Sequence, residues 1–331
     1  MDFDLPKGIT IGHAHNSHTG VTVILSKDRC VCGCEVRGGA PGTRETDLLN
    51  PVKMMDKVDA IALCGGSAYG LDAVGGIMDF LCKRRQGYEV KAFDKIVPIV
   101  PAAVIFDLIG AEYHYPNKEM GLSACQSACI VPAFGAVGVG KGATVGKIRG
   151  IKHASKGGIG AATVNIMGIN VTAVVAVNAF GDIYDHVTDK IIAGARDNAG
   201  GFLDTNKTIL NGQILRLLFG FKAKDKKSNK GNKDYVTEDA GAVLAEYGGA
   251  NTTIGCIITD AKLDKIQANK LASIGHNGLA KSIKPVHTDY DGDTLFCMAT
   301  GRKKVLNFVF LQVAAVEAVA KAVAAAVRRE V

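Results

Sequence analysis

Short apolar runs of β character recur along the whole chain, each closed by a glycine-rich joint and followed by a helical pattern. Val21–Leu25, Val58–Cys64, Val171–Val177, Thr253–Ile258 and Leu295–Ala299 read as buried strands. Ala68–Lys83 reads as a helix after a Gly-Gly-Ser turn. Lys262–Lys281 reads as a second helix with Leu263, Ile266, Leu271 and Ile274 on one face. Lys304–Glu330, rich in Ala and Val, reads as a third, packed on more than one side. Strands and helices interleaved from end to end predict a layered α/β or α+β domain. The 331 residues hold 40 glycines and 8 prolines, with 47% apolar and 21% charged residues, a globular composition.

Some classes are excluded by the same reading. No uninterrupted apolar run of membrane-spanning length appears. The nearest, Val305–Val327, carries Glu317 and Lys321 four residues apart, as an exposed helix face does. The first residues lack the order of a signal peptide, and nine cysteines is an odd number. Together these predict a cytoplasmic protein without a disulfide framework or a membrane partner. The net charge of +7 invites a nucleic-acid reading. However, the lysine-rich segment Lys222–Asp234 carries +4 and residues 252–331 another +4, leaving −1 for the remainder. No aromatic residue interleaves those lysines, so the segment reads as a mobile surface loop and nucleic acid is not an expected partner.

Several motifs fail on their spacing. Gly138–Lys147 resembles a phosphate loop, yet Lys141 stands where the pattern needs Gly and Ile148 where it needs Ser or Thr. Asp289, Asp291 and Asp293 resemble the start of a calcium loop, but Thr294 and Thr300 occupy the required Gly and Glu places. Cys30, Cys32 and Cys34 alternate on a strand, and Cys125 and Cys129 are spaced for a helix; both sets read as core packing. His13, His15 and His18 match no metal spacing, and His287 precedes the acidic cluster. No metal and no cofactor is expected.

Three motifs carry a resemblance. Gly65-Gly-Ser-Ala-Tyr-Gly-Leu71, Asn251-Thr-Thr-Ile254 and His287-Thr-Asp-Tyr-Asp-Gly-Asp-Thr-Leu-Phe296 together resemble the DmpA-type peptidases. That family includes L-aminopeptidase/D-esterases, β-peptidyl aminopeptidases and, with the nearest motifs, the 6-aminohexanoate-oligomer (nylon-oligomer) hydrolases. The resemblance runs from about Gly8 to the C-terminal helix. It implies an αββα sandwich of the N-terminal-nucleophile type, one catalytic domain cut into residues 1–251 and 252–331, and a homo-oligomer such as a tetramer.

It also implies roles. The cut falls at Asn251–Thr252, and Thr252 becomes nucleophile and, through its freed amine, base. Gly248 and Gly249 would permit the tight turn this needs. An α-amine with a reference pKa of about 7.7–8.0 suits general-base work near neutrality. Asn178 matches the oxyanion-stabilising Asn, Lys147 a catalytic lysine, and Asp289 and Asp291 the acidic pair orienting Lys147 and the amine. Asp293 is left a structural role. Gly66, Ser67, Tyr69 and Phe106 match substrate-binding positions, with Phe106 standing where several members carry Tyr. Expected substrates are short peptides, amides or ω-amino-acid oligomers. An acyltransferase of the ornithine acetyltransferase type is the alternative, disfavoured by the Gly65–Leu71 and His287–Phe296 motifs.

Overall fold

The computed structural model describes residues 3–212 and 251–328, so Lys222–Asp234, Gly248 and Gly249 lie outside the described residues. Eight strands build the frame: β1 (Ile9–His15), β2 (Gly20–Val36), β3 (Lys57–Cys64), β4 (Ala102–Val104), β5 (Gly158–Ile166), β6 (Ile169–Asn178), β7 (Thr252–Ala261) and β8 (Thr294–Lys303). Four helices cover it: α1 (Ala73–Lys83), α2 (Lys118–Gln126), α3 (Lys265–Ser282) and α4 (Phe308–Val327).

The strands run in the order β5-β6-β7-β8-β2-β3-β4, with Thr43–Arg44 at the far edge and β1 beside β2. The long strand β2 belongs to two layers. Its first half pairs with β1 and β3, and its second half, from Val31, pairs with β8. Period-2 alternation then sorts the side chains. Ile11, Ile24, Ile61 and Leu63 meet Val174, Ala176, Ile254, Cys256, Ile258, Phe296 and Met298 in a core between the layers. The opposite faces are closed by helices. Val171, Val175, Val177, Ile257 and Leu295 pack on α3 and α4. Val21, Val23, Ala60 and Ala62 pack on α1 and α2. The result is an αββα sandwich, each fully buried Ile, Val or Leu contributing about 1.5–3 kcal/mol of burial.

Helix ends differ from the sequence reading for local reasons. Ser67–Asp72 is a 3-10 turn, and the α-helix starts only at Ala73. Asp264 caps α3 in a capping box with Gln267, so the helix begins at Lys265 and its phase leaves Ile266 exposed. The buried face is instead Ala268, Leu271, Ala272, Gly275, Gly278 and Leu279. Cys125 lies in α2, but Cys129 lies beyond its end and pairs through its backbone with Ile11. Helix α4 is long and apolar enough to cross a membrane by length and composition, and half of that window is buried in the fold. It packs through Leu311, Ala315, Val319 and Val323.

Strand β7 lies centrally in the sheet. It is antiparallel to β6 and parallel to β8, with α3 making the crossover. Its first residue is Thr252, so the sheet presents Thr252 at a buried strand end.

Candidate active site

Thr252 and Asn178 are Cα partners on the last rung between β6 and β7. The Thr252 hydroxyl donates to the carbonyl oxygen of Asn251. The backbone N–H of Gly292 donates to the same oxygen at 3.1 Å. Asn251 also pairs with Asp291 in an isolated parallel bridge, which brings the acidic turn against the strand end. Gly292 has to be glycine here: a Cβ would lie 2.9 Å from Thr252 Oγ and 2.8 Å from the Ala40 carbonyl.

Lys147 reaches the same rung from a loop. Gly146 lies at φ +73°, and a Cβ there would lie 2.0 Å from the Ala195 nitrogen. The amides of Gly146 and Lys147 bond the carbonyls of Gly181 and Phe180. This fixes the lysine, 1% exposed, with Nζ donating to the Asn178 carbonyl at 3.0 Å and to Asn178 Oδ1 at 2.9 Å. Oδ1 also accepts from Thr144 N at 3.0 Å, and Nδ2 donates to the Phe106 carbonyl at 2.9 Å. Two donors on one side settle the amide's orientation, with its N–H groups on the other. Burial lowers the Lys147 pKa to about 7, against the opposing pull of Asp291 and Asp107.

The acids divide differently from the expectation. Residues 288–291 form a turn, closed by Asp291 N on the Thr288 carbonyl at 3.0 Å, so alternate positions do not share a strand face. Asp289 is exposed on that turn, and the carboxylates acting on Lys147 are Asp291 and Asp107. Asp291 is 2% exposed and accepts from Thr288 N at 2.8 Å and Thr288 Oγ1 at 2.7 Å. Burial, then the neighbouring charge of Asp293, pushes its pKa up. Asp293 is also close to the chemistry. Its Oδ1 accepts the Thr253 N–H at 2.6 Å, beside the nucleophile candidate.

Asp107 carries no motif that marks it in the sequence. It is 4% exposed, and its Oδ1 accepts the Gly66 N–H at 2.6 Å. Burial raises its pKa to about 6, with the Gly66 bond opposing. The one signal is a lone acid inside the apolar run Val104-Ile-Phe-Asp-Leu108. Through Asp107 and the Phe106 carbonyl, Gly66 and Phe106 are drawn to Asn178. Ser67, at φ +52°, follows with its N–H on the Ile105 carbonyl. A cavity of about 300 Å³ opens here, lined by His18, Asp107, Ile109, Gly142, Thr144 and Ile151. Tyr69 is exposed and stacks on Tyr115 at 5.3 Å, with Tyr113 edge-on at 5.6 Å. His13 and His15 are taken up by Thr22 Oγ1 and the Gly138 amide, away from this site.

A hydroxyl against a carbonyl, a buried amine of near-neutral pKa, and an amide with N–H groups held in place form an acyl-transfer constellation. The sequence pattern of Peptidase family S58 matches residues 4–331. The chain belongs to peptidase family S58. Curated relatives include an uncharacterized aminopeptidase of Mycobacterium tuberculosis, 39% identical over 284 residues, covering 85% of this chain and 73% of the relative. A 6-aminohexanoate-oligomer endohydrolase of Kocuria sp. is 30% identical over 306 residues, covering 91% and 75%. Among solved structures, the L-aminopeptidase D-Ala-esterase/amidase of Ochrobactrum anthropi, described as a variant of the Ntn-hydrolase fold, superposes with a TM-score of 0.61. It shares 17% identity over 98% of this chain and 87% of that one. A β-aminopeptidase of Burkholderia sp. superposes with a TM-score of 0.61 at 22% identity, covering 97% and 84%. The S58 chain therefore has the Ntn-hydrolase fold and belongs among peptidases and oligomer hydrolases.

Proposed function

We propose that this S58 protein is a self-processing amide hydrolase that cuts its own Asn251–Thr252 bond and then works through Thr252 as an N-terminal nucleophile. The observation that carries the reading is the Asn251 carbonyl, met on its oxygen by both Thr252 Oγ and the Gly292 N–H. In the first reaction Oγ attacks the Asn251 carbonyl carbon while neutral Lys147 takes the hydroxyl proton. The Gly292 amide holds the oxyanion. Collapse breaks the C–N bond, the Thr252 nitrogen receives the proton, and an ester links Asn251 to Oγ. Water opens the ester to an Asn251 carboxylate, a free hydroxyl and a free Thr252 amine.

In turnover that amine, with a reference pKa of about 7.7–8.0, accepts the Oγ proton as Oγ attacks a substrate amide. Asn178 N–H stabilises the oxyanion, the leaving amine takes the proton, and water hydrolyses the acyl-enzyme. The ammonium form of Lys147 keeps the hydroxyl oriented. The activities named for the relatives support short peptides, amino-acid amides and ω-amino-acid oligomers as substrates. Val309, Phe310 and Val313 form an exposed apolar patch on the first turns of α4, with exposed Leu306 just before the helix, suited to a homo-oligomer. Nine free cysteines suit a cytoplasmic location.

Intact mass of the purified protein tests the reading. Two chains of about 26 and 8 kDa, in proportion to length, are expected, and Thr252→Ala should give one inactive chain. A protein that stays whole and still hydrolyses amides overturns it.

A further inference from the structure

His287 stands at φ +59°, in the left-handed region that non-glycine residues seldom occupy. The consequence of this turn is local and specific. The backbone N–H of His287 reaches Asp293 Oδ2 at 3.1 Å, and its ring Nδ1 reaches the same oxygen at 2.8 Å. A carboxylate oxygen only accepts, so Nδ1 carries the hydrogen. The other oxygen, Oδ1, is thereby free to take the Thr253 N–H at 2.6 Å. One residue thus supplies both donors to one side of a carboxylate whose other side grips the backbone next to Thr252. The His276 ring of α3 stands edge-on to His287 at 4.8 Å, itself tied by Nε2 to the Glu35 carbonyl at 3.1 Å. The ring that orients Asp293 is therefore itself held from a helix and from β2.

Removing the ring would leave Asp293, 1% exposed, with one donor fewer and freedom to rotate about its Cα–Cβ and Cβ–Cγ bonds. The Thr253 amide would loosen with it, and Thr252 is one residue away.

We propose that His287 is a positioning residue for the nucleophile. Its ring and backbone donors lock Asp293, and Asp293 locks the start of β7, so that Thr252 Oγ stays aligned for attack. This rests on Thr252 being the nucleophile, and it assigns His287 no contact with substrate.

Two substitutions separate the donor from the backbone. Both Gly and Asn accept φ near +59° without the strain other residues meet. Gly deletes the donor, whereas Asn places Nδ2 where His places Nδ1. Full-length His287→Gly and His287→Asn are compared with wild type by thermal midpoint, by processing rate from intact mass, and by kcat and KM on an amino-acid p-nitroanilide. His287→Gly should lose about 10- to 100-fold in kcat and in processing rate with KM little changed, the size expected for a misplaced nucleophile. His287→Asn should recover most of that loss.

Wild-type kcat and processing in His287→Gly overturn the proposal, as does a loss confined to KM. So does His287→Asn performing no better than His287→Gly when both melt at the same temperature. If His287→Gly does not fold, His287→Asn decides alone, and collapse of its kcat with an intact thermal midpoint overturns the proposal. A wild-type protein that is neither cut nor active overturns the proposed function instead, so the two failures are distinguishable.

Discussion

Asn178 and Thr252 close the ladder between β6 and β7, and the Asn178 amide is held on three sides by Thr144, Lys147 and Phe106. An amide fixed in this way needs no reorganisation when negative charge develops beside it. Asn178→Ala should lower kcat by about 10²–10³-fold in a steady-state amidase assay, the usual cost of an oxyanion donor. Asn178→Asp should be at least as poor, because it brings a carboxylate to the place of an N–H. Normal turnover in Asn178→Ala removes this residue from the chemistry.

Gly292 gives a prediction about the first cut alone. Its N–H reaches the Asn251 carbonyl oxygen, and a Cβ would crowd Thr252 Oγ at 2.9 Å and the Ala40 oxygen at 2.8 Å. Gly292→Ala should therefore slow processing by about tenfold or more by shifting the hydroxyl from its line of attack. The readout is the fraction of uncut chain over time in cell-free synthesis. Processing at the wild-type rate would show that this contact does not aim the hydroxyl.

The layers are legible in the sequence because strands such as Val171–Val177 and Thr253–Ile258 are β-branched runs closed by turns. The strands Ile9–His15 and Gly158–Ile166 are not legible, since Gly, Ala, His and Asn interrupt their pattern. Thr252, Lys147 and Asn178 stand out by motif resemblance; the structure sets Thr252 and Asn178 on one rung, with Lys147 Nζ bonded to Asn178. The resemblance pairs Asp289 with Asp291, but the turn that opens at Thr288 leaves Asp289 exposed and Asp291 buried. Asp107 has no motif of its own. Its importance comes from a contact with Gly66, 41 positions away, which local spacing does not reveal.

Asp107 also sets a pH dependence. Its negative charge raises the Lys147 pKa, opposing burial. Processing that uses neutral Lys147 should accelerate as pH rises through about 7. Asp107→Asn keeps an oxygen for the Gly66 amide but removes the charge, so the Lys147 pKa falls and the midpoint should move to lower pH. The processing rate measured as a function of pH in both proteins checks the sign. A midpoint that stays or rises excludes the coupling.

Lys147 should also appear in stability. Its folded pKa of about 7 lies below the value of about 10.4 for an unfolded lysine. Between these the unfolded chain binds the extra proton, so stability attributable to this group rises with pH across that window. Below about 7 both states are protonated and the cost of burying the ammonium is present in full. Lys147→Met removes the charge and fills similar space. Urea unfolding should show wild-type stability rising relative to Lys147→Met, by an amount on the order of a few kcal/mol, as pH rises from about 7 towards 10. The comparison is made in a Thr252→Ala background, so that both proteins are single chains and processing does not enter the measurement. A difference that is constant across this pH range would mean that Lys147 does not change its proton affinity on folding.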